Sequence, residues 1–419
     1  MPGKVQFLAT HDGYALRMLV MKRTDTNNIE IGPPAHDAEL KDFLRIVSQA
    51  LFFPNANLNE WVRREGKENV RVARRSGRVV GGLIVQKMGQ WFGGASVPMA
   101  AVRVVGVAPE HRGSGVASRL MRAALDEMHG DGVPLSMLFP ATQPVYRRAG
   151  YEQAGVRLRY RMPAAAIDLH DRSLSIRPIG PGDDGDVHRL YAGRASQTAG
   201  NLDRNDWAWQ RLLDPPPWQT PIHGYLVQRE SAAEGYILFS QKPGHPLHKN
   251  VIEVADLVAG TADAARQLLT FLADHRSMAE WIHWCGPPVD PLCFTLAEQQ
   301  ATITERIDWM LRIVDVCGAL ESRGYPAALQ AELHLEIADD LLAHNHRRFV
   351  LEVAGGTGRV REGGRGDLHV DIRGLAAMYT GHLSAIDLKR TGYVEGSDAV
   401  LAIAAYIFAG PAPWTPDLF

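Results

Sequence analysis

The sequence predicts a mixed α/β (α+β) chain of two or three domains, and three observations carry that expectation. At 419 residues the chain exceeds one ordinary hydrophobic core. Stretches of period-two and period-3.6 hydrophobicity alternate along it, so strands and helices share the same units. A pattern of strand, proline break, acidic helix start and hairpin also occurs twice at similar offsets.

Composition narrows the function classes. The chain is 46% hydrophobic and 22% charged, and Lys+Arg 45 against Asp+Glu 47 gives a net charge of −2. That balance gives no support to a nucleic-acid or membrane-surface binder. Cys285, Cys293 and Cys317 are an odd set without metal-like spacing, which predicts buried free thiols, no metal and a reducing cytoplasm. No apolar run reaches the ~18–20 residues of a membrane span. His11 and Asp12 interrupt the short apolar N-terminal stretch, so it does not read as a secretory signal.

Residues 1–28 receive no role, as an extension or an added strand. A first domain is expected over 29–163. Ile29-Glu30-Ile31 alternates as a strand, Pro33-Pro34 breaks it, and Asp37 is the expected cap of a helix carrying Leu40, Phe43, Leu44, Val47 and Leu51. Strands over 70–74 and 79–85 flank the hairpin signal Ser76-Gly77. Gly93-Gly94 with Pro98 marks another turn before a strand over 101–107. The next helix places Val116, Leu120, Met121, Ala124, Leu125 and Met128 on one face and stops at Gly130 or Gly132. A short strand over 135–139 follows, then a brief helix bearing Tyr146. Val156, Leu158, Tyr160 and Met162 alternate with Arg157, Arg159 and Arg161 in a strand with one buried face.

After a linker over 164–172, a second domain is expected over 173–300. Ser175-Ile176-Arg177-Pro178 and Asp183-Asp184 echo the first domain's opening, and strands over 225–228, 235–239 and 251–258 echo its hairpin and central strand. A third domain is expected over 303–419, with strands over 309–316, 333–338, 348–353, 358–361 and 368–372 and a helix near 318–323. Its tail carries stiffening prolines, and Trp414 and Phe419 give it something to bury.

The chemistry centres on Arg112-Gly113-Ser114-Gly115-Val116-Ala117. A strand leads into this glycine-rich turn and a helix leaves it, so backbone N–H groups and the helix dipole converge on an anion. No Gly-Lys-Ser/Thr follows, which argues against a nucleoside-triphosphate loop. The motif resembles the Arg-x-x-Gly-x-Ala pyrophosphate loop of the GNAT superfamily of N-acetyltransferases. Tyr146, Gly150 and Tyr151 supply that family's Tyr-x-x-x-Gly-Tyr element about thirty residues on.

The resemblance implies acetyl-CoA as co-substrate and no metal. By position, the backbone of Val105 and Val107 would bind the pantetheine arm. Arg112 would reach the phosphates, with amides from Gly113, Ser114, Gly115, Val116 and Ala117. Tyr146 would protonate the departing thiolate, a transfer uphill by roughly 2 kcal/mol in water; Arg147 and Arg148 would ease it if they face inward. Tyr151 would pack. The second copy has Ala259-Gly260-Thr261-Ala262-Asp263 at the corresponding turn, without arginine and with an added negative charge, so its cofactor site is expected to be lost.

Two GNAT-like domains, an α/β domain and a final Phe together resemble the Eis (enhanced intracellular survival) acetyltransferases. This implies a third domain similar to sterol carrier protein type two, and a homo-oligomer, a hexamer by resemblance. It also implies that the carboxylate of Phe419 serves the first domain's active site as base. His36, His111 and His129 fit caps or solvated turns instead. Phe52, Phe53 and Trp61 read either as the wall of an amine site or as core. The family binds polycationic amines in an acidic cleft, whose residues here are not assignable beyond Phe419.

The expected activity is acetyl-CoA-dependent N-acetyl transfer, by direct attack, to a primary amine (aminoglycoside-like, polyamine or lysine). No nucleic-acid or membrane partner is expected. The alternatives are a non-enzymatic acyl-CoA or lipid carrier and a protein-lysine acyltransferase of the same fold.

Overall fold

The computed structural model describes residues 29–52, 60, 64–215, 220–244 and 250–419; residues 1–28, Phe53 and Trp61 lie outside them. The first unit contains β1 (Ile29–Gly32), α1 (Asp37–Leu51), β2 (Val70–Arg75), β3 (Arg78–Phe92), β4 (Ala95–Val107), α2 (Val116–Gly130), β5 (Leu135–Leu138), α3 (Gln143–Arg148) and β6 (Glu152–Pro163). β1 to β4 form an antiparallel meander, while β4 and β5, joined through α2, run parallel.

Local chemistry explains most boundaries. α1 buries Phe43, Ile46 and Val47 completely. Its cap is His36, whose ring accepts from the Glu39 N–H at 3.4 Å, so Asp37 opens the helix instead of capping it. Phe52 ends that helix in a left-handed conformation and is 92% exposed, so it belongs to neither core nor wall. The Ser76-Gly77 hairpin takes positive φ at both residues, as a two-residue turn of that kind requires. Pro98 lies inside β4, opposite Gly89, and not in a turn. Because β5 pairs only from Met99 onward, the proline meets a strand edge that is free there. α2 buries the six residues expected of its apolar face.

The second unit repeats the plan with β7 (Ser175–Pro178), α4 (Asp184–Ala195), β8 (Leu202–Asp203), α5 (Asp206–Leu213), β9 (His223–Arg229), β10 (Ala232–Lys242), β11 (Asn250–Ala259), α6 (Ala262–Ala273), β12 (Ala279–Gly286) and β13 (Thr302–Ile313). Here β11 and β12, joined through α6, form the parallel pair.

The two units share one thirteen-stranded sheet, ordered β1-β2-β3-β4-β5-β13-β6-β12-β11-β10-β9-β7, with β8 paired to β3. β13 therefore lies antiparallel between β5 and β6. A third domain starting at 303 would claim this strand, whereas its hydrogen bonds belong to the first unit's sheet.

The third unit comprises α7 (Val316–Ser322), β14 (Ala331–Ala338), β15 (Arg348–Ala354), β16 (Thr357–Glu362), β17 (Leu368–Asp371), α8 (Ile372–Tyr379), α9 (Ala385–Arg390), β18 (Val394–Glu395) and α10 (Asp398–Ile407). Its strands form a separate sheet in the order β16-β15-β14-β17-β18. Fully buried Arg312 of β13 ties it to the rest through Asp339, at 2.6 and 2.8 Å. A cavity of about 440 Å³ in this unit is lined by charged groups, among them Glu336, Arg348, His369 and Asp371.

Candidate active site

The site begins where two strands part. β4 and β5 pair over Met99–Leu135, Ala100–Ser136 and Ala101–Met137, and then diverge. On its other edge β4 slips register against β3, because Gly82 faces Gly106 but Ile84 faces Arg103. The surplus residue is absorbed at Val104, which takes φ 53°. A β-branched residue in that region carries strain of order 1–3 kcal/mol, and such strain collects at functional sites. The bulged stretch from Val102 to Val105 lines a pocket of about 390 Å³.

Tyr146, Val105 and Phe419 line this one pocket. Tyr146, on α3, is 7% exposed and packs edge-to-face on Tyr151 with ring centroids 6.2 Å apart. Burial raises its pKa, so the phenol stays protonated at neutral pH. Arg147 bonds Glu152 at 3.0 Å and the Tyr393 hydroxyl, and Arg148 is exposed. The conditional help expected from these arginines is therefore absent in this arrangement. Tyr151 is fully buried and its hydroxyl meets Ser136 Oγ at 2.7 Å.

Phe419 reaches the pocket from the far end of the chain, its ring edge-to-face on Phe139 with centroids 5.3 Å apart. The tail is bound along its length. The Val156 N–H donates to Pro413 O, and the N–H groups of Trp414 and Thr415 donate to Ala199 O and Val156 O. Asn201 donates to Trp414 O at 2.9 Å, and Arg157 to Pro416 O at 3.0 Å. Arg204 holds the Asp417 carboxylate.

The glycine-rich loop lies past Val107, beyond the pocket lining. Gly113 and Gly115 take φ 72° and 81°, and a Cβ at either would meet nothing within 4 Å. Gly115 is the N-cap of α2 and no side chain caps that helix start, which leaves its first N–H groups for an anion. Arg112 is exposed, and its side chain makes no hydrogen bond or ion pair with a described residue. The hairpin also delivers Arg75, which donates to Ser114 Oγ at 3.3 Å and meets His111 Nδ1 at 3.3 Å. These features fit a pyrophosphate. Arg75 was not legible as a site residue, because a cation beside a Ser-Gly turn looks like any solvated hairpin end.

The second unit keeps the parted strands without the loop. β11 and β12 pair only up to Glu253–His283, and a cavity of about 460 Å³ opens beyond. Arg194 lines it and donates to Leu257 O at 2.9 Å and to buried Asp256 at 3.0 Å, so its side chain occupies the strand edge exposed there. The α6 start is capped by Thr261, whose hydroxyl accepts from Ala264 N, and Asp263 follows. An anion would meet a capped end and a carboxylate.

Among the described residues one group of three is suited to metal ligation: His129, Asp315 and His344. It sits at the far end of α2 from the loop, about 22 Å along the helix axis.

Comparison with known proteins follows this architecture unit by unit. Two GNAT acetyltransferase domain models match residues 33–154 and 200–313, and a sterol carrier protein domain model matches 316–416. An uncharacterized N-acetyltransferase of Streptomyces griseus is 30% identical over 359 residues, covering 78% of this chain and 83% of its own. The chain belongs to the Eis-like N-acetyltransferases of the GNAT superfamily. The N-acetyltransferase Eis of Mycobacterium bovis is 28% identical over 73% of this chain and 76% of its own. A GCN5-related N-acetyltransferase from Anabaena variabilis superposes with TM-score 0.90 at 38% identity, over 94% of this chain and 100% of its own. Eis1 from Mycobacterium abscessus shares the fold, with TM-score 0.77 at 24% identity over 94% and 100%. This Eis-like chain is thus an N-acyltransferase with tandem GNAT domains, the second degenerate, and a sterol-carrier-like third. No described helix is long and apolar enough to cross a membrane.

Proposed function

We propose that this enzyme transfers the acetyl group of acetyl-CoA to a primary amine by direct attack within a ternary complex. The observation that carries the reading is the meeting of Tyr146, the bulged stretch of β4 and the terminal residue Phe419 around one pocket. Arg112, with the amides of Gly113, Ser114, Gly115, Val116 and Ala117, holds the pyrophosphate, and Arg75 adds a second cation. The backbone of Val105 and Val107 holds the pantetheine arm.

In the reaction the amine nitrogen bonds the acetyl carbon and the carbon–sulfur bond breaks. The leaving thiolate takes its proton from Tyr146. The amine's proton goes to the Phe419 carboxylate, directly or through water. Burial keeps Tyr146 protonated but makes phenolate dearer, so donation has to be concerted with bond cleavage. A carboxylate of ordinary pKa ~3.5 is a weak base; its first service is to bind and orient the ammonium form. The family likeness makes a homo-oligomer, a hexamer, the expected assembly, which light scattering would test.

Release of free thiol from acetyl-CoA in the presence of aminoglycosides, polyamines and lysine peptides tests the activity. Tyr146→Phe is expected to lower kcat at least tenfold while acetyl-CoA affinity holds. No amine-dependent thiol release, or full turnover by the Phe variant, would overturn the activity or the acid role respectively.

A further inference from the structure

Among the described residues, the charged side chains lining the pocket are Arg103 and Arg211, and Phe419, which carries the terminal carboxylate, lines it as well. Arg103 is neutralised: its guanidinium binds Glu65 in a buried pair, both side chains 3% exposed or less. Arg211 is different. It comes from α5 of the second unit, its guanidinium rests on the Trp207 ring at 4.9 Å, and its side chain makes no hydrogen bond or ion pair with any described residue. Trp207 also carries Arg103 on its ring at 4.3 Å, so the indole fixes both cations near one another. The Phe419 carboxylate likewise has no cationic partner within ion-pair distance among the described residues. Among the described residues, then, this pocket is lined by one cation without an ion-pair partner, Arg211, and by the residue that carries the unpaired terminal carboxylate, Phe419.

The described acids whose charge Arg211 feels, Glu65 and Asp417, are already engaged by Arg103 and Arg204, so neither is left for a polycation. The chain leaving the wall at Leu51 carries one acid before Arg64, Glu60, and its carboxylate lies 3.6 Å from Arg64. An amine with several positive charges would find one carboxylate and would have to approach Arg211, a like charge in a partly desolvated cleft.

We propose that the acceptor carries an anionic group beside its reacting amine, and that Arg211 binds that group while the Phe419 carboxylate receives the ammonium. The substrate class is then a zwitterionic amine, an amino-acid-like molecule, in place of an aminoglycoside or polyamine. The inference rests on the acetyltransfer reading and narrows it. Although water reaches Arg211, enclosure by the cleft, and Arg103 after it, lowers its pKa to about 10. A bound anion relieves that second penalty directly.

The test is steady-state thiol release by the full-length enzyme with acetyl-CoA and charge-matched acceptors. These are ω-amino acids, the corresponding ω-amino amides of equal length, spermidine and an aminoglycoside. The wild-type kcat/KM should favour the acid over its amide by about tenfold or more, and over both polycations. Arg211→Gln should collapse the acid-to-amide ratio through KM for the acid, and Arg211→Glu should turn the order toward polycations. A wild-type preference for the amide or the polycations, or a ratio that survives both substitutions, overturns the assignment. The wild-type comparison stands even if a variant folds poorly. Amine-independent thiol release, or none with any acceptor, overturns the acetyltransfer reading itself, and this inference with it.

Discussion

The guanidinium of Arg204 holds the carboxylate of Asp417, two residues before the chain ends, with Nε 3.0 Å from Oδ1. Its other face binds Asp256 at 2.5 Å, and Asp256 also receives Arg194 at 3.0 Å and the Tyr236 hydroxyl at 2.8 Å. Arg204 and Asp256 are 1% exposed. A buried network of the second unit thereby fixes the tail that enters the first unit's pocket. On the proposed mechanism, the second copy would serve catalysis by aligning the terminal carboxylate.

Breaking that network should be costly. Arg204→Met leaves buried Asp256 with Arg194 and the Tyr236 hydroxyl alone and deprives Asp417 of its cation, and loss of one partner from a buried pair typically removes about 3–5 kcal/mol. Urea unfolding checks the value. Asp417→Asn keeps the fold's charged centre and loosens only the tail, so it should reduce kcat severalfold with little change in KM for acetyl-CoA.

Lengthening the chain by two or three residues beyond Phe419 should abolish turnover, because it moves the carboxylate away from Tyr146 and adds bulk to a pocket of about 390 Å³. Acetyl-CoA binding by calorimetry should persist, since the loop around Arg112 is untouched. A fully active extended enzyme would remove the base role of Phe419.

Gly155 admits two neighbours at once. A Cβ there would lie 2.2 Å from the Trp309 ring and 2.9 Å from Pro413 O. Gly155→Ala therefore has to push β13 and the tail apart. Overpacking of this kind predicts a loss of about 1–3 kcal/mol, visible as a lower midpoint in denaturant, with a larger proportional fall in kcat than in acetyl-CoA affinity.

The pair joining α1 to β2 sets an acid limb. Arg74 binds Glu39 at 2.6 and 2.7 Å, and this bond first, with the Ala35 N–H and the charge attraction to Arg74, holds the carboxyl at about 2 against burial. The folded value lies below the ordinary 4.5, so the folded state binds fewer protons. Its stabilisation is full above pH 4.5 and fades as the pH falls toward 2. Glu39→Gln should flatten that part of the stability–pH curve, measured by urea unfolding at stepped pH.

Local rules found what local chemistry decides. The α2 face was readable because six apolar residues follow its period, and the loop because glycines and Arg112 sit between strand and helix. The bulge at Val104 carries no signature of its own; only the family likeness placed a splay there. Pro98 misled because a proline usually ends a strand, and here a free edge tolerates it. The place of β13 between β5 and β6 has no local trace, since pairing with Leu138 and Val156 is a long-range choice. Arg211 was invisible for the same reason: nothing near it in sequence tells that α5 borders another unit's pocket.

The insertion of β13 sets a timetable for synthesis. On the ribosome β5 emerges long before Met310, its neighbour in the finished sheet, and the first unit cannot close until the second has been made. The tail that lines its pocket is made later still. On the proposed mechanism, a chain trimmed of Phe419 would keep its fold and lose its base, so clipping that end would act as an off switch.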